Sequence, residues 1–223
     1  MIWESSHWKD DLQKLASLFD RHIPRTRWPE RSLADLEKRV MIAFYCIRKL
    51  IEAKKLSDRV ATQTLSLRSY PSLGKPVTRL NWHDINSLYD LSRGISTQRP
   101  LKFVCDQFIH SYIFVPTFSA RGTLTSILFV SDRRRKEALF RLSMRTMLRV
   151  LRSVGSDYPR RLHFTFDSAA GDYAVEAWRF RRPRPSRQDR SISPQSAPRL
   201  GRGRLPRRPP PRRKKEVMPS GPP

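Results

Sequence analysis

The apolar residues that a folded core requires run out near Phe180. The 43 residues that follow, "RRPRPSRQDRSISPQSAPRLGRGRLPRRPPPRRKKEVMPSGPP", hold 11 of the chain's 18 prolines. Ordering a residue costs about 1–2 kcal/mol, and this segment has too few apolar side chains to offset that. The expected organisation is one α+β domain over residues 1–178 and a disordered Arg/Pro-rich tail over 179–223, with polyproline II character around "RRPPPRR". A body of that size buries about 70% of its unfolded surface and needs no covalent staple.

Charge divides at the same place. Of 45 Lys and Arg and 20 Asp and Glu, the last 45 residues carry 15 and 2, so body and tail hold nearly equal shares of the net +25. Clustered arginine without aromatics seeks phosphate in a salt-sensitive, sequence-blind way. GC-rich codons read out of frame yield the same composition, so the tail is also readable as a reading-frame artefact. The longest apolar run, "VMIAFYCI", spans 40–47, far short of the ~20 residues that cross a bilayer. The opening "MIWESSHWKDDLQ" is too acidic and polar for a signal peptide. These features lead to the expectation of a cytoplasmic protein with no membrane partner. Cys46 and Cys105 fit it as small buried thiols, and without a CxxC there is no cysteine zinc site.

Periodicity sets the expected elements. Trp8, Leu12, Leu15 and Phe19 recur at helical spacing behind a Ser5 or Ser6 cap. Leu33, Leu36, Val40, Ala43, Ile47 and Leu50 form a longer seam behind Ser32 and predict a helix over 33–56. Joined by a short connection, the two read as an antiparallel helical hairpin. "TQTLSLRSY" and "VTRLNW" around "PSLGKP" suggest a strand hairpin, "WHDINSLYDLS" a helix ended by "SRGISTQRP", and 101–111 a short helix opened by Pro100. "YIFVPTF" and "TLTSILFV" around "SARG" form a second hairpin, with Pro116 marking an edge or a bulge. The stretch from Asp132 to Val154 reads as one long amphipathic helix ending at Gly155. In a last hairpin Leu162, Phe164 and Phe166 alternate with Arg161, His163 and Thr165, and after "SAAGD" Tyr173, Val175 and Ala177 alternate with Ala174, Glu176 and Trp178, which predicts one buried face. Helices first and hairpins later argue for an antiparallel sheet.

Two constellations carry possible chemistry. In "CDQFIHSYIF", Asp106 and His110 stack at i and i+4, where a carboxylate orients and activates an imidazole. A second pair, His83 and Asp84, and Gln107 are candidates to join them in one polar pocket, the basis for a small hydrolase or ribonuclease. Arg134, Arg141, Arg145, Arg149 and Arg152 share one side of the long helix and suit RNA, DNA or an acidic protein. That face is also what a merely solvated helix side looks like. No P-loop, GxGxxG, HExxH or nucleophile elbow appears, so no cofactor or metal is implied. The leading expectation is a non-enzymatic accessory or interaction protein whose basic helix and tail contact anionic partners. A third is a self-associating structural protein using Trp3, Trp8, Trp28 and Trp82.

The phrases "CIRKLIEAKKLSD", "SYPSLGKPVTRLNWHDINSLYDL", "CDQFIHSYIF" and "LRSVGSDYP" together resemble a family of short uncharacterised bacterial proteins over residues 1–178. That resemblance implies no activity and brings no functional residues. Helical ribonucleases of the HEPN type are also similar in having helical hairpins and a late His. Their motif places a polar residue such as Arg four to six before the His, and here Arg99 and Lys102 lie eleven and eight before His110.

Overall fold

The computed structural model describes residues 2–179. The tail expected from residue 179 lies, but for Arg179 itself, outside the described residues. The elements are helices α1 (Ser6–His22), α2 (Glu30–Glu52) and α3 (Asp58–Ala61), strand β1 (Thr64–Pro71), helix α4 (Ile85–Leu88), strand β2 (Ile95–Pro100) and helix α5 (Leu101–Ile109). Strands β3 (Ser111–Phe118), β4 (Leu124–Ser131) and β5 (Ala138–Ser143), helix α6 (Met144–Gly155) and strands β6 (Arg161–Asp167) and β7 (Asp172–Trp178) follow. The fold is α+β. Its five-stranded antiparallel sheet has the order β2-β1-β5-β4-β3, and β6 and β7 form a separate two-stranded ribbon.

Helices α5 and α2 are layered on one face of the sheet, and Tyr70, Ile113, Val130 and Leu139 are buried on the other. Phe108 of α5 stacks on Phe129 of β4 at 4.0 Å and on Phe44 of α2 at 4.3 Å, so one aromatic column joins strand, inner helix and outer helix. Phe103 meets Phe140 of β5 edge-on at 5.3 Å. Pairs of this kind add about 0.5–1.5 kcal/mol beyond their burial. The hairpin around "SARG" forms as expected, and Pro116 lies on β3, the edge strand. Gly122 turns it with φ +79, a conformation in which a side chain would be strained.

Several expectations need correction. The long helix over 132–154 is a 3-10 turn at Asp132–Arg134, strand β5 and then α6. "ALFRLS" satisfies both periods, but as the central strand it gains ladders to β1 and β4 on its two edges and buries Leu139, Phe140 and Leu142. Ser143 then caps α6, its hydroxyl accepting from the Thr146 amide at 3.1 Å. The hairpin expected from "VTRLNW" does not form, and β1 pairs with β2 instead. Asn81 explains the loop: its side chain accepts from the Thr78 amide at 2.7 Å and donates to the Pro76 carbonyl at 2.9 Å, occupying groups a ladder would need. "SRGISTQRP", expected to break structure, supplies β2.

The two N-terminal helices form as elements but do not make a self-contained hairpin: α1 packs chiefly on α6, and α2 on α5. Gly155 serves that α1–α6 contact rather than lying beyond the helix end, since a Cβ there would lie 2.9 Å from the Lys9 carbonyl oxygen. The last hairpin forms, with Leu162, Phe164 and Phe166 opposite Ala177, Val175 and Tyr173, yet Leu162, Phe164, Phe166 and Tyr173 are each at least half exposed. It is not added to the main sheet, so among its apolar face only Ala177 is buried. Among the described residues no helix is long and apolar enough to cross a membrane, and both cysteines are free.

Candidate functional site

α5 ends at Ile109, which makes His110 its cap. The His110 amide donates to the Asp106 carbonyl at 3.2 Å, and the His110 carbonyl accepts from the Asp132 amide at 3.1 Å. The second bond holds the end of α5 against the Asp132–Arg134 turn, beside a cleft of about 470 Å³ next to α2. Asp106, Gln107 and His110 all line it, together with Arg48, Arg133 and Arg134. The side chains do other work than expected. Asp106 accepts from Arg48 Nε at 2.8 Å, and Arg48 also pairs with Glu52 at 2.9 Å. A hydrogen bond from Lys49, followed by the Arg48 charge, holds the Glu52 carboxyl below its ordinary value. Gln107 is buried and accepts from the Ser131 amide at 3.1 Å, latching α5 to β4. Among the described residues no side-chain hydrogen bond joins Asp106 to His110, so the carboxylate orients an arginine rather than the imidazole.

His83 is not part of this cleft's lining. It is exposed at the end of the 78–83 turns, edge-on to Trp82 at 5.9 Å. The structure therefore brings together three of the five residues proposed for a polar pocket and leaves His83 and Asp84 out.

The five arginines expected on one helix face divide into three places. Arg134 sits in the turn before β5, paired with Glu137 at 2.7 Å and 5.4 Å over the Phe103 ring, and it belongs to the α5 cleft. Arg141 is on β5, where its Nε donates to Ser126 Oγ at 2.6 Å. Arg145, Arg149 and Arg152 share the exposed side of α6. They rim an open groove of about 760 Å³ whose floor includes Ile23, Leu124, Met144 and Leu148. Arg152 pairs with Asp20 at the end of α1. The other two have no carboxylate partner among the described residues.

A third surface surrounds the ribbon. Leu162, Phe164, Tyr173 and Val175 line an open groove of about 840 Å³ with Trp8 and Tyr45. Of the four tryptophans expected at a surface, Trp3 and Trp82 are exposed, while Trp8 and Trp28 are half-buried against the core. Sequence reasoning missed Arg48 and Arg133 in the α5 cleft, because neither is near "CDQFIHSYIF" in the chain. Among the described residues no group of three His, Cys, Asp or Glu is placed to hold a metal ion. No family model matches this chain, and neither does any curated protein or solved structure.

Proposed function

We propose that this protein is an interaction module that binds single-stranded nucleic acid across the arginine rim of α6. The observation that carries the reading is the pairing of exposed Arg145, Arg149 and Arg152 with the apolar floor of the same groove. On a helix those residues are spaced about 6 and 4.5 Å along the axis, close enough for neighbouring phosphates of one strand to engage all three. The apolar floor gives an unpaired base a surface to lie on, which a duplex does not present. The 15 basic residues of the segment 179–223 add sequence-independent attraction to the same polyanion.

The test is a salt titration of single-stranded RNA and DNA binding to the full chain and to the R145Q/R149Q/R152Q variant. Three lost phosphate contacts reduce the slope of log K against log salt by about 2, at ~0.7 per contact for single strands. A variant with the same charge change elsewhere on the surface, R59Q/K75Q/R79Q, is expected to keep more of the wild-type slope. Equal slopes for the wild type and the α6 variant would remove the proposal. Competition by polyglutamate as effective as by RNA of equal charge would point instead to an acidic protein partner.

A further inference from the structure

Strand β6 is an edge strand that lacks the proline, the lysine and the bulge by which proteins commonly block edge pairing. Its strand partner is β7, and all seven of its residues are exposed. An open edge of this kind is a template for another strand. A ribbon of two strands is marginally stable until further strands or an apolar partner cover it.

Which backbone groups face outward follows from β7. The Ala177 amide donates to Asp58 Oδ2 of α3 at 2.9 Å, and the Tyr173 amide to Asp172 Oδ1 at 2.7 Å, so neither donates to β6. Their partners across the ladder are Leu162 and Phe166. Hydrogen-bonded and non-hydrogen-bonded pairs alternate in an antiparallel ladder. Leu162, Phe164 and Phe166 therefore turn their amides and carbonyls to the outer edge of β6. Among the described residues nothing accepts from those amides. The outer edge of β7 is occupied toward both ends, by Asp58 and Asp172, so β6 is the edge open to an added strand.

The sequence of β6, "RLHFTFD", complements itself when reversed. Laid antiparallel on a second copy about Phe164, Arg161 of each chain falls opposite Asp167 of the other. Leu162 then faces Phe166, and Phe164 faces Phe164. Opposite charges and aromatic pairs directly across a ladder stabilise it. Arg161 and Asp167 would meet at non-hydrogen-bonded positions, where side chains approach most closely. Asp167 is already held at the strand end, its Oδ1 accepting from the Ala169 and Ala170 amides at 3.0 and 3.3 Å. Centring the pairing on His163 or Thr165 instead puts Arg161 opposite Thr165 or Ala169 and loses the charge match. Leu162, Phe164 and Phe166, each at least half exposed in the single chain, gain apolar neighbours in the Phe164 register.

We infer that the protein forms a symmetric dimer through its β6 edges, joining two ribbons into one antiparallel sheet of order β7-β6-β6-β7. The contact is isologous, and because β7 offers no comparable open edge it closes at two copies. Strand-to-strand contact over so short a segment buries less than permanent dimers do, so the dimer is weak and populated over micromolar concentrations. It involves neither α6 nor nucleic acid, and stands or falls separately from the function proposed above.

The experiment is sedimentation velocity of the full chain over a micromolar concentration series. Each copy carries a net +25, so it is run in about 0.5 M sodium chloride, where repulsion between chains is screened beyond a few ångströms. The sedimentation coefficient is expected to rise with concentration to the dimer value and no further. R161D sets Asp against Asp167 at both ends and is expected to weaken the dimer at least fivefold, whereas R161K is expected to stay within threefold of wild type. F164K puts two lysines face to face and is expected to sediment as a monomer with an unchanged circular dichroism spectrum. A cross-link keeps the test open should that variant disturb the ribbon. Opposed Cα atoms in a hydrogen-bonded pair are about 5.5 Å apart, which suits a disulfide. F164C in a C46S background is therefore expected to give a covalent dimer with oxidised glutathione, and A174C, at an exposed position on β7, to remain a monomer. The R145Q/R149Q/R152Q variant is expected to dimerise as the wild type does. A monomer at every concentration, R161D dimers as tight as wild type, or A174C cross-linking as fast as F164C would overturn the inference. So would species that grow beyond the dimer, which would show unspecific apolar association.

Discussion

Replacing Asp157 with Ala should be among the most damaging single changes in the chain. Asp157 follows α6 and is only 1% exposed. One carboxylate oxygen accepts from the Ser57 amide at 2.6 Å and the other from the Ser57 hydroxyl at 2.9 Å. Ser57 is itself buried and starts α3, its carbonyl accepting from the amides of Val60 and Ala61. Close by is Lys9, fully buried on α1, with Nζ donating to the Lys55 carbonyl at 2.8 Å and lying 4.2 Å over the Tyr158 ring. Burial pushes the Lys9 ammonium below its ordinary value, and the Asp157 charge is the first influence acting against that. D157A therefore removes two charge-assisted bonds, each worth about 1.5–3 kcal/mol, and strands a buried amide. It also takes the anion away from a buried cation. Removing one partner from a buried charged set costs about 3–5 kcal/mol. For a body of this size each kcal/mol lowers the Tm by about 2–4 °C, so the expected drop is roughly 10 °C. Urea unfolding followed by circular dichroism should show a lower midpoint with an unchanged slope. S57A should cost about 1 kcal/mol, and the double variant should cost less than the sum. A D157A loss under 1 kcal/mol, or strict additivity, would refute the argument.

Further expectations concern the core, one turn and alkaline pH. The Tyr89 hydroxyl donates to the Arg135 carbonyl at 2.6 Å, and burial pushes its pKa up to about 12. The folded state thus holds the proton more tightly than the unfolded chain, and that stability is complete below pH ~10 and lost as pH rises through about 12. Y89F should cost about 1 kcal/mol at neutral pH and flatten the decline over that window, read from urea midpoints. F108A breaks the column between Phe44 and Phe129 and should lose about 3–5 kcal/mol in the same assay. G122A places a Cβ 2.5 Å from the Thr26 carbonyl oxygen at φ +79. It should destabilise by about 2 kcal/mol or more, and a neutral effect by thermal unfolding would mean that the 119–123 turn gives way more easily than its geometry requires.

How far the sequence was readable depended on the range of the physics involved. The seam from Leu36 to Leu50, the short helix after Pro100 and the hairpin around "SARG" are local patterns, and all three stand in the structure. "ALFRLS" satisfies a helix and a strand equally in sequence, and only the partners on both sides select the strand. The same ambiguity puts five arginines on one helix face in sequence, whereas in the structure three share α6, one lies on β5 and one belongs to the α5 cleft. Asp106 and His110 were rightly placed one turn apart, but the partner of Asp106 comes from α2, 58 positions away in the chain.

By itself, then, the sequence determined where cohesive side chains are plentiful, which stretches are amphipathic, and that the sheet is antiparallel, though helices and strands alternate rather than segregate. Those properties follow from residue chemistry and from spacings of two to four. Tertiary structure alone decided that β1 would pair with β2 and β5, that α1 would lie on α6, and that Arg68 would face Arg141. Each is a meeting of segments distant along the chain. What selects such meetings is the free energy of burying many side chains together, which no short window of residues records.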